Sequence, residues 1–474
     1  MSNPLVIQGG MGIGVSNWTL AKAVSSYGQL GVISGTGLDR LLVRRLQNGD
    51  PGGHMRRALE AFPFKDIAQR IIEEYFVKDG KPKSRPFKRV PIFTYKGDKR
   101  LEELNVAANF AETWLAKEGH SGEIGVNYLA KLQLPTLSSI YGALLAGIDY
   151  IIMGAGIPIE IPGVINDLSQ HSEAKMRLEV EGADKDENFF SRFNPKALFS
   201  GRLPEVKRPK FLPIVSSNFL ASIMVSKANG PIDGLIMEGP SAGGHNAPPR
   251  GRMALDDQGE PIYGKRDIID MGKLRDLKLP FWLAGSYGTP EGLDEALSNG
   301  AEGIQVGSPF ALCKESGIFP ELRNRLISVI RNDNEKISTD VNASPTGFPF
   351  KVMNVGETIS EKTVFEARKR ICNLGYLQHL YKREDGTVGY RCAAEAPATF
   401  KAKGGELTEA TARKKCLCNS LFATIGFPTV YEDGYVEKAL ITIGSSLESV
   451  RSILEGHKDY SAKDVLDFIL KKID

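Results

Sequence analysis

Apolar positions in this chain gather into short, nearly unbroken runs, separated by stretches of helical spacing. Eight such runs lie in the first two thirds: Leu5 to Gln8, Gly31 to Ser34, Glu123 to Asn127, Tyr150 to Met153, Phe211 to Ser216, Gly234 to Met237, Phe281 to Ala284 and Gly303 to Val306. Because hydrophobicity does not alternate within them, they predict strands buried on both faces. Helical patterns fill the intervals, as in Trp18 to Tyr27, Thr136 to Ala146 and Pro290 to Asn299. Strand–helix alternation repeated eight times predicts an α/β chain folded as a (β/α)8 TIM barrel. A doubly wound sheet is the competing arrangement. The turn after the first run, Gly9-Gly10-Met11-Gly12-Ile13-Gly14, lacks the glycine spacing and acidic residue of a dinucleotide fingerprint.

Two insertions interrupt the alternation, at about 38–89 and 159–210. The first has helical spacing, including Asp66 to Phe76, and the second is polar with a charged tract from Glu179 to Glu187. Additions of this kind sit at barrel strand ends, often as lids. The pattern changes again past residue 330. Arg331 to Ile337 is charged, Ala343 to Lys351 is a turn-rich connector, and the rest is mixed and mainly helical. It ends in an amphipathic helix, Ala462 to Lys472, with Val465, Leu466, Phe468, Ile469 and Leu470 on its apolar side. The expected organisation is a barrel over 1–330 and a C-terminal extension over 331–474.

Composition narrows the partners. Lys and Arg total 60 against 57 Asp and Glu, a formal charge of +3 in 474 residues, which gives no reason to expect nucleic acid or a membrane surface. The basic stretch Lys78 to Arg89 is punctuated by Gly80, Pro82 and Pro86 and reads as an exposed loop. No run approaches a membrane helix, and the segment Met1 to Ile7 has no signal-peptide pattern. Five cysteines are too few for a disulfide scaffold in a chain of this length, so a cytoplasmic protein is expected.

Candidate chemistry gathers where the strands end. The first run opens into Gly9, Gly10, Met11 and Gly12, with Ser16 as the expected cap of the following helix. The seventh ends in Gly285-Ser286 and the eighth in Gly307-Ser308. Those are the two loops that commonly cradle a phosphate in barrels. Asn127 ends the third run, and an amide there can donate to and accept from a heteroaromatic ring. The sixth run opens into Glu238-Gly239-Pro240-Ser241-Ala242-Gly243-Gly244-His245. Adjacent glycines admit a flat ligand, and histidine brings a nitrogen that ordinarily titrates near neutrality. Together these positions outline a flat phosphorylated cofactor across the barrel mouth, for which FMN is the natural candidate.

The motifs Gln8-Gly9-Gly10-Met11-Gly12, Gly125-Val126-Asn127, Gly154-Ala155-Gly156-Ile157-Pro158, Glu238-Gly239 through Gly243-Gly244-His245, Ala284-Gly285 and Gly303 to Phe310 occur in order. Over residues 4 to about 316 the chain resembles the nitronate monooxygenase (2-nitropropane dioxygenase-like) family of FMN-dependent barrels. That group includes FMN-dependent enoyl-acyl-carrier-protein reductases. The resemblance implies a flavoprotein oxidoreductase that oxidises a small acidic carbon compound, such as an alkyl nitronate, with O2. The alternative it implies is a NAD(P)H-dependent reductase of a carrier- or CoA-bound enoyl thioester. It assigns Gln8, Gly9, Gly10, Met11, Gly12, Asn127, Gly243 and Gly244 to the flavin. It assigns Gly285, Ser286, Gly307 and Ser308 to the phosphate, and His245 to catalysis.

Two departures stand out. Ser286 occupies a position where the family usually has glycine, with Tyr287 beside it. After His245 the chain runs Asn246 to Arg252, where Arg250 and Arg252 read first as solvated loop arginines and second as contacts for an anionic substrate or a carrier phosphate. A third reading, a flavin-binding regulatory subunit, has no need of a histidine at the cofactor face. The extension holds Cys372, Cys392, Cys416 and Cys418. Thiolates select zinc or iron–sulfur centres, but the spacing is not C-x2-C and buried cysteine is common, so a metal there is left open. Cys313 is expected in the core.

Overall fold

The computed structural model describes residues 3–471. Met1 and Ser2, and Lys472 at the end of the expected final helix, lie outside the described residues. Eight parallel strands form one sheet: β1 (Val6–Gln8), β2 (Gly31–Ser34), β3 (Ile124–Leu129), β4 (Tyr150–Gly154), β5 (Lys210–Val215), β6 (Leu235–Glu238), β7 (Phe281–Ala284) and β8 (Gly303–Val306). Their spatial order follows the chain, and β1 pairs with β8 in parallel. A bridge between Ile7 and Leu30 closes the other side, with Gln8 N donating to Leu30 O at 2.9 Å. The sheet is therefore a closed barrel, as the eight apolar runs predicted.

The absence of alternation has its cause in two hydrophobic layers. Ile7, Val32, Tyr150, Ile152, Leu212, Ile236 and Trp282 pack together as one fully buried cluster, separate from the outer core. Residues of opposite parity, such as Val6, Ile33, Ile151, Phe211 and Leu283, belong to the larger core shared with the helices. Each strand is thus apolar on both faces. The 19-residue helix Lys99–Lys117 packs on the helices Trp18–Ser26, Leu38–Gln47, His54–Ala61 and Thr136–Leu145.

The first insertion is helical, through Leu38–Gln47, His54–Ala61 and Lys65–Tyr75. The second is mixed: helix Ile161–Ser169 precedes an antiparallel pair, Ala174–Leu178 with Phe189–Phe193. Its charged tract does not stand free in solvent. Val180 and Glu181 pair with Leu380 and Tyr381 of the extension, and Arg391 bonds Glu181 at 2.7 Å.

The extension forms one body with the barrel. Within it, β9 (Lys336–Asp340) and β10 (Phe350–Asn354) form an antiparallel hairpin. This hairpin captures the barrel loop: Gly244 pairs with Lys351 and His245 with Phe350. The final helix runs Ala462–Leu470, capped by Ser461, and buries Val465, Leu466 and Ile469. Among the described residues no helix is long and apolar enough to cross a membrane. Inside the extension, Arg368 meets Glu437 through two bonds of 2.9 and 3.2 Å, both side chains fully shielded from water.

Removing one partner of such a pair strands a buried charge. Glu437→Ala should lower the unfolding free energy by about 3–5 kcal/mol. Urea titration of the variant beside the parent protein would measure this, and a change under about 1 kcal/mol would refute it.

Candidate active site

A cavity of roughly 240 Å3 lies at the C-terminal ends of the barrel strands. Gly9 to Gly12 form one wall, and Gly9 N donates to Val306 O at 2.8 Å, tying the β1 and β8 ends together. Two expectations change here. Ser16 does not cap the first helix; Asn17 does, accepting from Leu20 N at 2.9 Å. The Ser16 hydroxyl is fully buried and braces the glycine loop instead, bonding Gly9 O, Met11 N and Gln8 Nε2. The Gln8 amide is spent on Ser16 and on Val32 N, which it accepts at 2.9 Å. Gln8 therefore shapes the loop from behind and does not line the cavity, contrary to the ligand contact expected of it.

Opposite the loop, Asn127 ends its run on β3. Its Nδ2 reaches Gly10 O at 3.4 Å, while Oδ1 is buried without a protein partner. A Cβ at residue 10 would fall 2.4 Å from Asn127 Cβ, so only glycine fits there. At the other end of the mouth Gly285 and Ser286 turn with positive φ, 97° and 64°. They lie beside Gly307 and Ser308 in the same cavity wall.

His245 comes off β6 through the loop 239–244. Its ring packs edge-on against Phe350, 4.8 Å between centroids, and Nε2 lies 3.0 Å from Ser344 Oγ. Gly244, at φ 80°, faces open space, whereas Gly243 admits the extension: a Cβ there would sit 2.7 Å from the Ile443 carbonyl carbon. Burial, and secondly the charge of Lys131, push the His245 pKa down to about 3. The expectation of a group titrating near neutrality is thus corrected: the imidazole is neutral. Glu238, one residue past Met237, moves oppositely. Burial raises its carboxyl to about 8, so it enters the cavity wall protonated and able to donate.

The roof belongs to the extension. Tyr376, Leu377, Leu417, Cys418, Leu421 and Ile443 line the cavity. Gly444 N donates to Ser308 Oγ at 2.9 Å, Ser445 N to Ser241 O at 2.9 Å, and Lys351 Nζ to Ser445 Oγ at 2.6 Å. Ser446 and Ser449, around the start of helix Glu448–Gly456, line the same cavity as Gly285, Ser286, Gly307 and Ser308. Sequence reasoning missed these contacts and the placement of Ser344. Their only signal was a turn-rich connector, and nothing local says where a connector docks. Glu238 was legible within its motif but carried no role.

Arg250 and Arg252 do not reach the cavity. Arg250 bonds Ser217 Oγ at 2.6 Å and lies over Phe219, and Arg252 is exposed. Asn246 braces its own loop, donating to Pro240 O and Ala242 O. The partner of His245 therefore comes from the hairpin and not from the residues that follow it. Cys372, Cys392, Cys416 and Cys418 surround one small apolar void, and all five cysteines are free thiols. Among the described residues no three His, Cys, Asp or Glu side chains are grouped to hold a metal. Cys313 is fully buried, as expected of a core residue.

Residues 206–358 match the family model described as nitronate monooxygenase. The matched stretch contains β6, the loop delivering His245, β7 and β8 and the β9–β10 hairpin. A probable nitronate monooxygenase of Bacillus subtilis (strain 168) is 28% identical over 133 residues, 28% of this chain and 37% of that protein. The chain thus matches little more than a third of the length of that curated relative. Among solved structures, FabK from Thermotoga maritima aligns with a TM-score of 0.49 at 16% identity, over 99% of this chain and 92% of that one. Nitroalkane oxidase from Streptomyces ansochromogenes aligns with a TM-score of 0.45 at 13% identity, over 99% and 95%. The family resemblance read from the motifs is borne out over the matched segment.

The protonated Glu238 gives a test of the closed mouth. A carboxyl raised from 4.5 to about 8 binds its proton more tightly folded than unfolded. Its contribution is complete below the unfolded value and is lost as pH rises through the folded one. Glu238→Gln should therefore melt close to the parent at pH about 5 and a few degrees above it at pH about 9. Parallel melting curves across that range would show that Glu238 is solvated.

Proposed function

We propose that this chain is an FMN-dependent oxidoreductase of the nitronate monooxygenase kind, oxidising a small acidic carbon compound such as an alkyl nitronate with O2. The observation that carries the reading is the placement of His245. A neutral histidine faces a glycine-walled cavity at the C-terminal end of β6, inside the family-matched segment.

The residues present fit the cofactor. Oδ1 of Asn127 is a buried acceptor awaiting a donor, and the close packing of Gly10 on Asn127 leaves a flat surface beside it. Gly9, Gly10, Met11, Gly12, Asn127 and Gly244 would hold the ring system and ribityl chain. Gly285, Ser286, Gly307 and Ser308 would hold the phosphate through backbone N–H groups. When bound, the flavin supplies the two-electron exchange with substrate and the reaction with O2. The chain's own residues bind and orient. His245 offers hydrogen bonding and proton exchange at the reacting carbon, Glu238 donates from the end of β6, and the roof limits the access of water. The free thiols suit a reducing cytoplasm.

One observation favours the second reading, reduction of an enoyl thioester by NAD(P)H. Among the described residues, none that lines the cavity is Lys, Arg or Asp. Glu238 is protonated and His245 neutral, so an anionic substrate meets no counter-charge, whereas a neutral thioester needs none.

Purified protein should be yellow and release FMN on denaturation; a colourless protein without FMN affinity would overturn both readings. Mixed anaerobically with NADH or NADPH, rapid bleaching of the flavin selects the reductase, and bleaching only by a nitronate selects the oxidase. His245→Ala should cut turnover by about 10²–10⁴-fold with FMN binding retained. Unchanged turnover would remove His245 from the mechanism.

A further inference from the structure

We propose that His245 exchanges protons with the cavity as one end of a hydrogen-bonded wire whose far end is Lys131, with Ser344 and Thr346 as the two links. This rests on the reading that His245 handles a proton at the substrate. Lys131 Nζ donates to Thr346 Oγ1 at 3.1 Å, Thr346 Oγ1 lies 2.8 Å from Ser344 Oγ, and Ser344 Oγ lies 3.0 Å from His245 Nε2. Every link is within hydrogen-bond reach. The four residues come from three places: the turn after β3, the β9–β10 connection and the β6 loop. Ser344 is fully buried. Thr346 N also bonds Ser344 Oγ at 3.3 Å, which holds the two hydroxyls side by side. Pairing of His245 with Phe350 and the edge-on ring contact fix the imidazole.

The donor count allows a single polarity when Lys131 is charged. An ammonium can only donate. Thr346 then accepts from Lys131 and donates to Ser344, and Ser344 donates to His245 Nε2. The ring proton must sit on Nδ1, the nitrogen not engaged by Ser344. Transfer runs along that order. The Nδ1 proton passes to the substrate, the Ser344 proton passes to Nε2, the Thr346 proton to Ser344 and a Lys131 proton to Thr346. The substrate gains one proton and Lys131 becomes an amine. The imidazole has exchanged tautomers without carrying a charge. The reverse sequence removes a proton from a carbon acid. No electron moves in either direction, so neither an oxidant nor a reductant enters the step.

This reconciles the burial of His245 with proton chemistry. Burial makes imidazolium costly, yet relay through the neutral ring avoids it. Lys131 lies over the Phe348 ring, and burial lowers its ammonium to about 7. The titratable groups facing Lys131 are Glu179 of the second insertion, which raises it, and His245 and His379, each of which it pushes down. The group that changes charge near neutrality is thus the lysine.

The test uses two readouts on the full-length protein. With ¹⁵N-labelled histidine, the His245 signal, identified by its loss in His245→Asn, should show the Nδ1–H tautomer in weakly acidic solution. It should then change tautomer between pH about 6 and 8 without imidazolium forming. Lys131→Met and Thr346→Val should abolish that titration, and Thr346→Ser should restore it. An imidazolium near pH 6.5, or a titration indifferent to Lys131, would overturn the wire. In turnover, Thr346→Val and Lys131→Arg should each lose at least tenfold in kcat together with the near-neutral inflection of its pH profile. An arginine keeps the charge but does not release a proton. Parental activity in Lys131→Arg would therefore reduce Lys131 to an electrostatic role and refute the relay. The spectroscopic arm needs no substrate. Absence of turnover with an intact titration would overturn the proposed reaction and leave the wire, and normal turnover without the titration would do the opposite.

Discussion

The candidate site depends on one short antiparallel pairing, Gly244 and His245 against Lys351 and Phe350. It joins a barrel loop to a hairpin of the extension, and Asn246 N extends it by donating to Pro349 O at 2.9 Å. With it, the imidazole is oriented by Phe350, bonded by Ser344 and half-buried. The extension is thus the fourth wall of the site, continuous in its packing with the barrel core.

Desolvation sets the electrostatics that follow. The surrounding protein disfavours a carboxylate at Glu238 and an imidazolium at His245, and both lose their charged forms for the same reason. The cavity becomes a neutral chamber whose polarity comes from backbone amides, hydroxyls and one orphaned amide oxygen. Such a chamber suits a large planar cofactor held by many weak contacts, and it disfavours ion-pair recognition of substrate. Lys131 stands behind the hydroxyl pair and Lys351 on Ser445, so charge lies behind the cavity lining and not in it.

Much of this was legible in the chain because the barrel writes its strands locally. Strands covered on both faces need continuous hydrophobicity, and the glycine clusters at Gly9–Gly12, Gly285 and Gly307 mark where backbone must approach something closely. What misled was equally local. Ser16 looked like a helix cap because serine often is one, but its hydroxyl was recruited by three partners in the glycine loop and Asn17 took the cap. Gln8 sat within the motif, yet its amide turned inward to satisfy Val32 N. Arg250 and Arg252 follow the histidine closely, yet the chain leaves the mouth after Asn246 and both lie outside the cavity, as loop arginines do.

The sequence by itself determined the barrel, the face on which the candidate site lies and the histidine presented there, since each depends on periodicity or on residue type at a strand end. Only the tertiary structure decided the state of that histidine. Its partner is separated from it by 99 positions, and its protonation follows from burial under a segment that carries no motif. Burial and long-range pairing are properties of the packed chain, and no window of sequence contains them.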